Sequence, residues 1–120
     1  MIKMSNEITI VLPKTNNEGV AFTYERHLKA IAENFGGYTL LEQKGGWVSD
    51  DGELMIDEAE RLIINCDDIM AENFQPIQAL LQFLFCNVEQ LAVFIKINNV
   101  ACIMENNQAD WNELTKLLNI

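Results

Sequence analysis

Two periodicities alternate along this chain. Ile8-Thr9-Ile10-Val11-Leu12 is a β-branched apolar run that Pro13 interrupts, so it predicts a first strand in the core. After a polar stretch, apolar residues recur at Tyr24, Leu28, Ile31 and Phe35 with charges between them. That is a helical period, and Gly36-Gly37 supplies its stop. Tyr38-Thr39-Leu40-Leu41 predicts a second strand, which Gly45-Gly46 breaks. Trp47-Val48 then opens a short arm that turns at Asp50-Asp51-Gly52 and returns through Leu54-Met55-Ile56.

Arg61 to Cys66 is a continuous apolar run rather than an alternating one, which predicts a strand buried on both faces. Asp67-Asp68 ends it and is placed to cap the next element. Phe74, Ile77, Leu81, Leu84 and Val88 return to helical spacing, predicting a second helix from about Asn73 to Cys86, with Pro76 tolerable only near its first turn. Leu91 to Ile97 and Val100 to Met104 are β-rich and joined by Asn98-Asn99, a pair suited to the positive φ angles of a two-residue hairpin. Asn107 or Asp110 can cap a final helix bearing Trp111, Leu114, Leu117 and Leu118. The order predicts an α+β fold, a ferredoxin-like sandwich with an antiparallel or mixed sheet and helices mainly on one face.

Length and composition narrow the picture further. With 120 residues, 49% of them hydrophobic, the chain can bury one sizeable core, and residues 1–120 read as a single domain. No apolar run approaches the roughly 20 residues needed to span a bilayer. The start, Met1 to Glu7, has neither the basic nor the apolar region of a secretion signal, which leads to the expectation of a cytoplasmic protein without membrane partners. Cys66, Cys86 and Cys102 are an odd number without paired spacing, arguing against a disulfide framework and a zinc site. His27 is the sole histidine, so any triad-like arrangement would depend on it alone.

Charge is the strongest compositional signal. A formal net charge of -10 opposes binding to a phosphate backbone, so direct nucleic-acid binding is not expected. Residues 42 to 72 hold ten of the 18 acidic residues against Lys44 and Arg61. Individual motifs within this stretch are weak. Asp67-Asp68 after a strand could hold Mg²⁺, but a helix cap explains it better. Glu42-Gln43-Lys44 matches only a fragment of a nuclease site, and Asp50-Asp51-Gly52 lacks the ligand series of a calcium loop. No catalytic, cofactor-binding or metal-binding residue and no cofactor is expected.

The leading expectation is therefore a non-enzymatic acidic binding protein, in one form an inhibitor of phage or mobile-element type. Its acidic face would engage a basic surface of another protein, such as the groove of a host nucleic-acid enzyme. The partner-binding residues would be Trp47, Asp50, Asp51, Glu53, Asp57 and Glu58. A second reading, from another class, is a small enzyme or metabolite-binding domain with a pocket between sheet and helices, for which Tyr24, His27, Glu42 and Asp67 are the scattered candidates. A third is a structural subunit in which the final helix completes a homo-oligomer.

Gly46-Trp47, Asp51-Gly52, Glu58 and Leu62-Ile63-Ile64, followed by a helix and a β-hairpin, carry one resemblance. From Tyr24 to about Met104 the chain resembles a family of small uncharacterised bacterial proteins, many of them exported, with this glycine-tryptophan, Asp-Gly, acidic, β-rich order. The resemblance implies a compact α+β domain and brings no activity or catalytic residue. This chain departs from that family in its start and in the helix from Gln108 to Ile120, which suggests a cytoplasmic branch with its own partner.

Overall fold

The computed structural model describes residues 1–120 as five strands and three helices. In chain order these are β1 (Asn6–Pro13), α1 (Glu25–Phe35), β2 (Thr39–Val48), β3 (Leu54–Cys66), α2 (Ala71–Cys86), β4 (Ala92–Ile97), β5 (Val100–Glu105) and α3 (Gln108–Leu118). The strands form one sheet in the order β2-β3-β1-β4-β5, and every pairing is antiparallel. The first four strands and two helices have the ferredoxin-like arrangement, and β5 and α3 extend it at one edge.

Strand periodicity decides which face is covered. Ile8, Ile10 and Leu12 of β1 align with Ile64, Leu62 and Glu60 of β3, and Ile8 and Ile10 also align with Ile97 and Ile95 of β4. Those apolar side chains are buried in one cluster with Ile31 of α1, Ile77, Leu80, Leu81 and Leu84 of α2, and Leu114 and Leu118 of α3. All three helices thus pack on one face. The other face carries Val11, Ile63, Phe94, Leu41 and Ile103, half-buried or exposed, around Arg61 and Lys96. No element of the chain covers it.

Several local predictions need revision. Gly45-Gly46 does not break the second strand, because both glycines pair within the ladder, Gly45 with Asp57 and Gly46 with Ile56. A Cβ on Gly46 would lie 3.5 Å from Leu54 Cδ1 and 3.8 Å from Ile56 Cδ1, ordinary contact distances, so the ladder there does not require glycine. The return arm and the apolar run that follows are one 13-residue strand, β3. That strand is buried mainly on one face, since Leu62, Ile64 and Cys66 are buried while Arg61 and Asn65 are exposed and Ala59 alone is buried on the other. Asp67-Asp68 does not cap α2. That helix starts later, where the Met70 N–H donates to Asn73 Oδ1 at 3.0 Å. Pro76 lies inside α2, beyond its first turn.

Other predictions agree with the structure. Gly36 ends α1 in the left-handed region with φ 86°, its N–H donating to the Ala32 carbonyl. Asn98 takes φ 53° in the β4–β5 turn, and Asn107 caps α3 by accepting from the Asp110 N–H at 2.8 Å. No helix is long and apolar enough to cross a membrane.

Candidate functional site

Strand length creates the site. The β1–β3 ladder ends at Pro13 and Ala59, whereas β3 and β2 continue together to the Leu54–Val48 pair. Five residues of each strand therefore project beyond the sheet, about 17 Å of two-stranded ribbon before the turn. This arm makes the molecule elongated, with extents of 49 × 28 × 26 Å.

At its base, on the helix-facing side, the ladder aligns Glu42 with Glu60 and Lys44 with Glu58. Lys14 enters from the end of β1 and forms an ion pair with Glu42. Lys44 Nζ lies 3.8 Å from Glu58 Oε1. Lys14, Glu42, Gln43, Lys44 and Glu58 line an open cleft of about 270 Å³ without a single apolar side chain. Tyr24, just before α1, is not part of the lining; its hydroxyl donates to the Pro13 carbonyl, next to Lys14 in the chain, at 2.5 Å.

The electrostatics of the cleft follow from this crowding. The hydrogen bond to Glu42, with the charges of Glu42, Glu58 and Glu60, holds the Lys14 ammonium above the usual lysine range. Burial, reinforced by the Glu60 carboxylate, pushes the Tyr24 phenol up to about 12. Two carboxylates and two ammonium groups thus share one small polar concavity, with the Glu60 charge acting on Lys14 from beside it. It can take a ligand that carries both signs of charge.

The residues expected to line an enzyme pocket divide into two pairs. Glu42 lines the cleft, and Tyr24 lies near it, bonded to Pro13 and within the field of Glu60. His27 instead packs on Phe83, ring centroids 4.8 Å apart, where burial and then the Arg26 charge lower its pKa. Asp67 sits past the opposite end of β3 and accepts from Ser5 Oγ at 3.1 Å. Sequence reasoning missed Lys14 and Glu60 and did not join Lys44 to the site. The available signal was the Leu12-Glu60-Glu42 alignment across three strands, which requires the register.

The six expected partner-binding residues all lie on the arm. Trp47 is 52% exposed and donates from Nε1 to Asp57 Oδ2 at 3.0 Å. Asp51 is held in the turn, accepting from Ser49 Oγ and from the Glu53 N–H, and these bonds pull its carboxyl below the ordinary range. Glu58 faces Lys44. Asp50 and Glu53 make no ion pair.

No protein-family model and no curated protein matches the chain. Among solved structures, it is similar to a phage SAM lyase in complex with S-methyl-5'-thioadenosine, with a TM-score of 0.59 and 18% identity over 90% of this chain and 97% of that one. A phage SAM lyase in the apo state gives a TM-score of 0.58 and 18% identity, covering 89% and 96%. CutA1 from Oryza sativa gives 0.44 and 16%, covering 94% and 91%.

The likeness to an enzyme over nearly its whole length overturns the expectation of a non-enzymatic acidic inhibitor of a host nucleic-acid enzyme. The geometry supplies a physical reason. Much of the acidity that suggested a face for a basic groove is engaged within the chain, Glu42 by Lys14, Glu58 by Lys44, Asp57 by Trp47 and Asp51 by its own turn. Its base forms a cleft rather than a free charged surface.

Proposed function

We propose that this chain is a small enzyme that cleaves S-adenosylmethionine (SAM), with the cleft at the base of the arm holding the charged end of that substrate. The observation carrying the reading is the cleft's mixed charge: Glu42 and Glu58 beside Lys14 and Lys44, with no apolar lining. The ferredoxin-like frame shared with the phage SAM lyase supports it.

The charges match the chemistry. SAM carries a sulfonium and an ammonium cation and one carboxylate at the same end. Carboxylates of the cleft oppose the two cations, and Lys14 or Lys44 opposes the substrate carboxylate. At about 270 Å³ the cleft is smaller than the roughly 300–1,000 Å³ of whole-ligand sites, which suits this end alone. When the bond from sulfur to the amino-acid side chain breaks, its electron pair passes to sulfur, and the leaving group is a neutral thioether that needs no proton. The freed carbon is satisfied inside its own fragment, by its carboxylate oxygen or by loss of a neighbouring proton to a cleft carboxylate. The protein's part is to bind the cationic end and orient the fragment for bond breaking, because a carboxylate facing the sulfonium favours the substrate over a transition state in which that charge is being lost. A net charge of -10 attracts the cationic substrate and has no such hold on the neutral product.

Calorimetry with SAM and with S-adenosylhomocysteine, which has a thioether in place of the sulfonium, tests this reading. SAM should bind at least about tenfold more tightly, and the E42Q/E58Q variant should lose that preference. Equal affinity for both ligands, or binding unaffected by the double variant, would remove the cleft from the account.

A further inference from the structure

The arm and the uncovered sheet face each expose what the other would bury. Val48, Leu54, Met55 and Ile56 join Trp47 as exposed large apolar side chains on a ribbon with no core of its own, and Leu54 is 67% exposed. Beyond them the tip carries Asp50 and Glu53 without ion pairs. The uncovered face has the reverse charge. Arg61 and Lys96 stand on either side of β1, opposite Val11 and Thr9, and neither forms an ion pair. Apolar Leu41, Ile63, Phe94 and Ile103 surround them, Ile103 being 68% exposed. Exposed large apolar side chains grouped in this way mark an interaction site.

We propose that the arm of one copy seats on the uncovered sheet face of a second copy, with Asp50 and Glu53 meeting Arg61 and Lys96. The occupant is another copy because both halves of the match, apolar with acid and apolar with base, are present on every chain. The two surfaces differ, so the contact is head-to-tail and repeats until it closes into a ring. Local complementarity is required, because two chains of net charge -10 repel one another elsewhere. In the final helix, Leu114 and Leu118 are buried in the core of their own chain and are not free to join the contact.

The inference does not depend on SAM chemistry, and its readout is mass. Light scattering coupled to size exclusion should show the wild-type chain as one discrete multiple of 13.7 kDa. R61E/K96E and D50K/E53K should each give the monomer mass with unchanged circular dichroism. The four substitutions together, which exchange the charges across the contact, should restore the multiple. The milder R61Q/K96Q serves if a reversal perturbs folding, and it should weaken association in the same direction. A monomeric wild type, a multimer indifferent to both reversals, or a charge-exchanged variant that stays monomeric would overturn the proposal.

Discussion

Tyr24 shows how one side chain can be conditioned by fold and cleft together. Its hydroxyl is tied to the Pro13 carbonyl, and burial next to Glu60 favours the neutral phenol, so its pKa rises to about 12 from an ordinary 10. The unfolded chain then releases this proton first. The stabilisation is present below pH 10 and is lost as pH climbs through the folded value. Ultraviolet titration of the wild type minus the Y24F variant should place the phenolate near pH 12, and a midpoint near 10 would show that Tyr24 is not enclosed. Cysteines offer a second comparison. Burial, then the Asp67 charge, raises the Cys66 thiol, whereas Cys86 is exposed on α2. With a thiol-reactive disulfide near pH 8, Cys86 should react first and Cys66 only slowly, and C86S should remove the fast phase. Both thiols have apolar neighbours in the chain, yet only Cys66 is buried, because helical phase rather than neighbouring residues sets the direction of the Cys86 side chain.

At the scale of elements, turns and caps were legible because their chemistry is local. Gly36, Asn98 and Asn107 act where the chain order places them. Replacing Asn107 with alanine removes the acceptor for the Asp110 N–H and should cost about 1 kcal/mol in denaturant unfolding. No change in midpoint would mean that α3 is fixed by packing alone. Long-range pairing was less legible. The β2–β3 arm read as a broken strand, a short turn and a separate buried strand, because Gly45-Gly46 has the local signature of a breaker while the ladder with Asp57 and Ile56 holds it extended. The candidate cleft was hidden by the same gap. Glu42, Glu58 and Glu60 are scattered in sequence, and only the registers of β1, β2 and β3 bring them to Lys14. Of the enzyme-pocket candidates, Tyr24 and Glu42 were recoverable as polar residues at the ends of apolar runs, while Asp67 lies at the wrong end of its strand.

For the whole molecule, the asymmetry of the two-layer fold links the cleft to the surface. Helices cover one face, the long hairpin leaves the body, and acid accumulates along it. Acidity alone suggested a partner with a basic groove. Placed on the fold, it separates into carboxylates matched by lysines at the arm's base and the Asp50 and Glu53 carboxylates, without ion pairs, at its tip. The central claim concerns the base. Purified chain should be incubated with SAM, and the products separated by chromatography against S-methyl-5'-thioadenosine as standard. The account predicts that this thioether accumulates as SAM disappears and that E42Q/E58Q forms it at least about tenfold more slowly while retaining the wild-type fold. Loss of SAM no faster than in buffer, or equal turnover by wild type and E42Q/E58Q, would contradict it.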